Sequence, residues 1–373
     1  MEIKKIRAIG AGVLAALWLS LSAWCWFGPS KASSQAERRP LAQMPEITLE
    51  SLWNTEFMRD FESYTLDQFP LRDRFRTLKA LFHNYGLLQK DNNGIYIADG
   101  YAAKLDFPLN LTAVSGATNR FQRVYDKYLK ESNCRIFLSV IPDKGYYLAE
   151  QYGYPTMDYD AMFSKVQEDL PWAEYIDITG VLSASDYYYT DTHWRQENII
   201  PVASQLAEAM GVKTPKTGDF TVTALARPFY GVYYGQAALP MPSETMYILE
   251  NELLRSCIVS AFDTMGRPIN LNIYNDADLE SADLYDIFLS GVEGYLTIEN
   301  PQADTDKELV IFRDSFGSSI APLLVQSYAK ITLVDIRYMS MDMLQRLMEF
   351  DSQDVLFLYS TLVLNNPDAF QTA

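Results

Sequence analysis

The chain has 373 residues, 48% of them apolar and 21% charged, with a formal net charge of −17. That balance suits a globular chain whose core needs no disulfide or metal staple, and it excludes wholesale disorder and collagen-like or coiled-coil architecture. The first 40 residues hold six basic and two acidic side chains, so the negative charge lies beyond them; a body this acidic is repelled by phosphate backbones, and nucleic acid is not expected as a partner.

Residues 8–27 run for 20 positions without a charge. At about 1.5 Å per residue they reach roughly 30 Å, the thickness of a bilayer core. Lys4, Lys5 and Arg7 precede the run, which ends on the bulky pair Trp26 and Phe27. It is longer than the apolar part of a cleavable signal. An uncleaved transmembrane signal-anchor is expected, with a cleaved signal as the alternative. Residues 1–7 then form a cytoplasmic tail, 28–47 a polar linker, and 48–373 an extracytoplasmic domain, since long domains translocate largely regardless of charge. The expected location is the cell membrane, spanned once. Cys134 and Cys257 are the only cysteines of the body, and their spacing leaves a disulfide open. No CxxC or Cys/His cluster exists, so no structural zinc is expected, and no cofactor either.

Trp53, Phe57, Phe61 and Tyr64 predict one amphipathic helix over 49–69, ended by Pro70. Leu71, Phe75, Leu78, Phe82 and Tyr85 predict a second, within which His83 reads as structural. Residues 95–98 followed by Asp99-Gly100 predict a strand and a tight turn. Val114, Ala117, Phe121, Val124 and Tyr128 mark a helix, and 135–141 an apolar strand closed by Pro142-Asp143-Lys144. Helices follow over 161–170 and 198–210, the latter capped by Gly211, with an extended piece at 175–178. Residues 212–285 read as an insertion of short strand-like pieces between Pro and Gly. Strands at 309–312, 331–334 and 355–359 then alternate with helices at 318–328 and 341–350. This alternation predicts an α/β fold, a mostly parallel sheet with helices on both faces.

Two segments carry candidate chemistry. In Tyr187-Tyr188-Tyr189-Thr190-Asp191-Thr192-His193-Trp194 the second of only two histidines stands two residues after an aspartate. In an extended segment such residues project to the same side. The carboxylate can then accept from Nδ1–H, fix the tautomer and leave Nε2 as a base. In Phe312-Arg313-Asp314-Ser315-Phe316-Gly317-Ser318-Ser319 a buried strand ends, a serine follows and a helix begins. Sites in open parallel sheets form at such strand ends. Backbone N–H groups there can bind an oxyanion, and Gly317 allows close approach. Each segment also has a bland reading, a loop tie and an N-cap. Together they supply Asp191, His193 and Ser315, an admissible order for an Asp-His-Ser set.

At this point the sequence resembles a known family. Asp191-Thr192-His193-Trp194 is similar to the Asp-x-His-Trp signature of bacterial DHHW-motif proteins, themselves similar to SGNH-hydrolase-like alginate O-acetyltransferases. Glu37-Arg38-Arg39-Pro40-Leu41, Met44-Pro45, the run from Phe57 to Tyr64, Asp67, Phe69-Pro70 and Arg72 resemble its membrane-proximal region. Pro142-Asp143-Lys144, Phe229-Tyr230-Gly231, Asp314-Ser315-Phe316-Gly317, Pro322 and Val334-Asp335-Ile336-Arg337-Tyr338 resemble its later landmarks. The resemblance covers about residues 37–340 and rests on order and spacing.

The resemblance implies a flavodoxin-like, SGNH-type three-layer α/β/α sheet with permuted catalytic blocks, preceded by the transmembrane helix. It implies Ser315 as nucleophile, His193 as base and Asp191 as its orienting carboxylate, with Arg337 reaching the site or pairing with Asp335. The signature has Thr192 where a second His is usual. Near Ser290-Gly291-Val292 the family often has Gly-Gly-Asn, and Val292 has no side-chain donor, so the N–H groups of Gly291 and Phe316 are the expected oxyanion donors. The implied activity is O-acetyl transfer to, or ester hydrolysis on, a cell-envelope polysaccharide through an acyl-serine. A multi-pass membrane O-acyltransferase is the implied partner. The alternative is a non-catalytic glycan-binding or assembly module, with Trp194, Tyr230 and Tyr234 among its sugar contacts; the ordinary reading of such tyrosines is strand packing. Metal-assisted hydrolysis through Asp191, His193 and Asp186 is a third, sparser reading.

Overall fold

The structure, a computed structural model, describes residues 2–262, 266–276, 279, 281–291 and 293–370. The chain forms two compact units. One comprises the chain up to Asn93 with Tyr234–Pro240; the other comprises Gly94–Tyr233 and the chain from Met241 on. The expected body started at residue 48, whereas the sheet-bearing unit starts at Gly94.

In the first unit, α1 (Glu2–Phe27) is long and apolar enough to cross a membrane. The single helix expected over 49–69 is two helices, α2 (Leu49–Trp53) and α3 (Glu56–Asp67). They break where the Asn54 side chain accepts the Glu56 N–H at 3.0 Å and Thr55 takes a left-handed φ of 64°. The next helix, α4 (Arg72–Leu81), continues as a wider turn over Phe82–Gly86. An ion-pair network holds the unit. Asp67 is paired to Arg39 at 2.6 Å, and Glu37 bonds Arg72 and lies 3.2 Å from Arg76.

The second unit opens with a hairpin, β1 (Ile95–Ala98) and β2 (Tyr101–Lys104). Its turn residues Asp99 and Gly100 have φ of 49° and 81°, as Asp-Gly prefers in such turns. Then follow α5 (Leu111–Val124), β3 (Arg135–Ile141), α6 (Tyr159–Asp169), β4 (Glu174–Tyr175) and α7 (Ile200–Ala209). A second hairpin pairs β5 (Thr221–Phe229) with β6 (Glu244–Glu250). The chain continues through β7 (Ile258–Phe262), β8 (Pro268–Leu271), β9 (Tyr295–Glu299), β10 (Glu308–Arg313), α8 (Gly317–Leu324), β11 (Lys330–Val334), α9 (Met341–Leu347) and β12 (Asp354–Ser360).

The central sheet has eight strands in the order β8-β7-β9-β11-β10-β12-β3-β4. The five from β11 to β4 are parallel; β9, β7 and β8 extend the edge antiparallel. The segment read as an insertion therefore contributes two sheet strands, β7 and β8. Strand residues alternate between two cores, as a period of two requires. Phe137, Ile311 and Leu356 face one core, with Val202 and Leu206 of α7 and Ile320 of α8. Val140, Phe312 and Phe357 face the other, with Val114 and Phe121 of α5 and Met162 of α6. Each such side chain, fully buried, contributes about 1.5–3 kcal/mol. Helices thus cover both faces of a mostly parallel sheet, as the alternation predicts.

All three cysteines are free thiols. Cys134 packs against one core and Cys257 against the opposite one, so the disulfide left open by their spacing is not formed.

Candidate active site

Ser315 sits in the turn between β10 and α8, at the carboxyl end of a central parallel strand. The buried Asp314 carboxylate fixes this turn. One oxygen accepts the Phe316 N–H at 3.1 Å; the other accepts the Ser360 N–H and hydroxyl, at 2.8 and 2.7 Å, from the end of neighbouring β12. The aspartate is therefore a bolt between two strand ends. At Gly317 a Cβ would press on the Arg313 side chain at 2.7 Å, which explains the glycine.

The segment 187–194 is a closed loop rather than an extended run. Tyr187 and Trp194 form an antiparallel bridge, and Tyr188 N–H donates to the His193 carbonyl at 3.1 Å. Asp191 and His193 meet through an Asx turn: the His193 N–H donates to Asp191 Oδ1 at 3.1 Å. The same oxygen is 2.6 Å from His193 Nδ1, and His193 Nε2 is 2.7 Å from Ser315 Oγ. The three residues chosen from sequence are hydrogen-bonded in series, across a separation of 122 residues between His193 and Ser315.

Several residues that the sequence reading gave no role hold this series. Asp191 Oδ2 accepts the Val232 N–H at 2.9 Å. Gly231 lies directly on Asp191: a Cβ there would overlap Asp191 Cβ and the Thr190 carbonyl. Glu244, on β6, accepts the Tyr189 N–H, the Thr190 N–H and the Thr190 hydroxyl at 2.8–2.9 Å, and pairs with Arg195 at 3.3 Å. The Tyr285 ring stacks on the His193 imidazole, with centroids 3.8 Å apart and planes 7° apart. The Tyr285 hydroxyl donates to Ser319 Oγ at 2.7 Å.

Lys144 is buried in this region. Its ammonium donates to the carbonyls of Tyr188 at 2.8 Å and Tyr189 at 3.4 Å. Burial pushes it down to about 7, against the pull of Asp191, Glu244 and Asp143. Burial likewise raises Asp143, against hydrogen bonds from Thr361, Tyr159 and the Gly145 N–H. An unfolded lysine titrates near 10.4. Between about 7 and that value the unfolded chain binds the additional proton, so this group's contribution to stability improves as pH rises across the window. Below the window the burial penalty is complete. Lys144→Met is expected to be relatively most favourable at the low end. Its stability relative to the parent should fall by up to about 1.4 kcal/mol per pH unit above it. Denaturant unfolding at several pH values measures the slope; a pH-independent difference would remove this account.

Three expectations need correction. Trp194 is fully buried, with no surface for a sugar. Its indole donates to Ser319 Oγ at 2.8 Å, and Gln196 donates to the Ser319 carbonyl at 2.9 Å, so both tie the His193 loop to the helix after Ser315. The Gly291 N–H donates to the Phe288 carbonyl at 3.3 Å, and the Phe316 N–H is held by Asp314, so both expected oxyanion donors are engaged elsewhere. The Ser315 N–H, by contrast, has no hydrogen bond to any described residue. Arg337 forms a two-point pair with Asp335 at 2.9 and 2.6 Å, the second of its two expected roles. Val292, the departure from the family pattern, lies outside the described residues.

Tyr230 is 45% exposed beside Gly231, and Tyr189 is 40% exposed, its ring stacked on Tyr101 at 4.3 Å. Tyr187 and Tyr188 are buried packing residues, and Tyr234 belongs to the other compact unit. No group of three metal-ligating side chains exists among the described residues.

No family model matches the chain, and no curated protein matches its sequence. Solved structures do match. A DHHW family protein from Eubacterium siraeum DSM 15702 superposes with a TM-score of 0.61 at 21% identity, over 75% of this chain and 94% of that one. Bacillus cereus PatB1 with a sulfonyl adduct gives a TM-score of 0.60 at 18% identity, over 74% of this chain and 98% of PatB1. A second structure of Bacillus cereus PatB1 gives 0.56 at 19%, over 75% and 99%. At these identities the likeness is one of fold, and that fold is shared with a DHHW family protein and with PatB1.

Proposed function

We propose that the chain is a membrane-anchored, extracytoplasmic O-acetyltransferase or esterase of SGNH-like type acting on cell-envelope polysaccharide. The observation that carries this reading is the series Asp191–His193–Ser315, with links of 2.6 and 2.7 Å ending on a serine at a strand end. PatB1, of the same fold, carries a sulfonyl adduct, and sulfonyl reagents react with nucleophilic side chains, which agrees with this reading.

In this mechanism Ser315 Oγ bonds to the acyl carbon while its proton passes to His193 Nε2. The oxyanion lies against the Ser315 N–H. His193 returns the proton to the leaving group as the acyl–oxygen bond breaks. A sugar hydroxyl, or water, then gives its proton to His193 and bonds to the acyl carbon; His193 returns that proton to Ser315 Oγ as the acyl–Oγ bond breaks, which regenerates Ser315 and a neutral His193. Asp191 keeps the imidazole in its working tautomer throughout. The exposed Tyr230, and the side of Tyr189 not stacked on Tyr101, are the aromatic surfaces a sugar would meet. The acyl donor reaches this side of the membrane through a multi-pass membrane O-acyltransferase.

Tyr285 has a part in the same steps. A protonated imidazole on an aromatic face gains about 0.5–2 kcal/mol. Tyr285→Leu is therefore expected to slow acyl transfer by about 2–30-fold, while Tyr285→Phe, which keeps the ring, stays near the parent. Steady-state rates with an activated acetyl ester compare the two.

The test of the function is intact mass after incubation with that ester. The parent should gain one acetyl group, and added cell-wall oligosaccharides should either remove it as O-acetylated sugar or leave free acetate. A parent that stays unmodified and releases no acetate would end the enzymatic reading and favour a glycan-binding module.

A further inference from the structure

The first unit leaves a large apolar surface uncovered. On α2, Leu49, Leu52 and Trp53 occupy one face at spacings of three and four, with Leu49 and Trp53 89% and 93% exposed. Along α4 and its two flanking residues, Leu71, Phe75, Leu78 and Phe82 form a second exposed stripe, and Tyr85 and Leu88 follow it. Trp53, Leu71, Phe75, Leu78, Phe82 and Tyr85 belong to the spacings that predict amphipathic helices, yet they stay exposed. We propose that α2, α3 and α4 lie in the outer membrane–water interface, with this surface in contact with lipid.

Three observations choose lipid as the occupant. The first is depth. The Tyr64 hydroxyl donates to the Cys25 carbonyl at 3.4 Å, the Cys25 thiol to the Thr65 carbonyl at 3.7 Å, and the Lys31 N–H to Gln68 Oε1 at 2.9 Å. The end of α3 is therefore fastened to the last turn of α1. If the apolar run of α1 fills the bilayer core, that turn marks its edge. The second is charge. Residues 28–93 hold nine basic and nine acidic side chains, while the rest of the body is strongly acidic. Within α4 the basic residues are Arg72, Arg74, Arg76 and Lys79 against one acid, Asp73. A basic amphipathic helix suits an anionic leaflet. The third is residue type. Trp24, Trp26, Phe27, Trp53 and Tyr85 are exposed aromatics, the kind enriched at membrane interfaces.

The inference rests on α1 spanning the membrane, so the test reads both. The full chain is reconstituted into phosphatidylethanolamine–phosphatidylglycerol vesicles, with lipids brominated near the headgroup or near the chain end. Trp18→Phe and Trp53→Phe, subtracted from the parent, isolate each indole's emission. Trp18 should lose most of its emission to deep bromines, which reads the span. Trp53, and the indole introduced by Tyr85→Trp in a Trp53→Phe background, should lose most of theirs to shallow bromines. Quenching of Trp18 with both interfacial indoles unaffected would overturn the proposal and leave the anchor standing; a protein partner would then be the occupant. If no indole is quenched, the anchor fails and the proposal with it.

Discussion

Ser315→Ala and His193→Ala are each expected to lower acyl transfer by roughly 10⁶-fold, and the double variant to fall no further. The reason is that the two side chains make one unit. Without the imidazole, Ser315 keeps its proton and is a weak nucleophile; without the hydroxyl, His193 Nε2 has nothing to activate. Burst and steady-state hydrolysis of an activated acetyl ester reads both singles and the double. His193→Ala retaining activity within tenfold of the parent would sink the mechanism, and strictly additive losses would mean the residues act separately.

The second large effect is expected at a residue that touches no substrate. Gly231→Ala adds a methyl where the Asp191 Cβ and the Thr190 carbonyl already stand. Neither is the free end of a flexible side chain, so the Asp191 loop must move. A misplacement of about 1 Å costs on the order of 10²-fold, and losing the orienting carboxylate on the order of 10⁴. Gly231→Ala should fall between these values, and Gly231→Ser, with the same Cβ, should match it. Gly218→Ala is the control, since a Cβ there meets nothing within 4 Å. Rates per folded molecule, with folding checked by circular dichroism, separate displacement from unfolding; parental activity in Gly231→Ala would show that the loop does not need its position.

How far these arguments could be made from sequence depends on how locally each feature is encoded. The parallel strands were legible because both faces are buried, which leaves near-continuous apolar runs such as 136–141, broken only by Ser139, and 309–312. The antiparallel edge was not. Ile258–Phe262 alternates buried and half-exposed positions over only five residues, and its partner Tyr295–Glu299 carries Thr297 and Glu299. The helix over 49–69 broke at Asn54 and Thr55, a local cap hidden inside an unbroken apolar spacing. That Asp191, His193 and Ser315 could meet was legible because a chain with two histidines offers few choices. Their supports were out of reach. Glu244 grips a loop more than fifty residues earlier, and no local pattern marks such a partner. The oxyanion donors were misjudged for the same reason: whether a backbone N–H is available depends on its tertiary acceptor, here Asp314 for Phe316 and Phe288 for Gly291.

The bolt between Asp314 and Ser360 has a consequence for the newly made chain. Ser360 emerges after Ser315, and until β12 docks beside β10 the serine turn lacks one of its fixed ends. Asp191 and His193, made much earlier, meanwhile wait for a partner 122 residues downstream. The hydrogen-bonded series therefore takes its final form only once β12 is in place. The order of synthesis thus fixes the serine turn last of the three positions, and a fragment lacking β12 would leave the Asp314 carboxylate without its Ser360 donors.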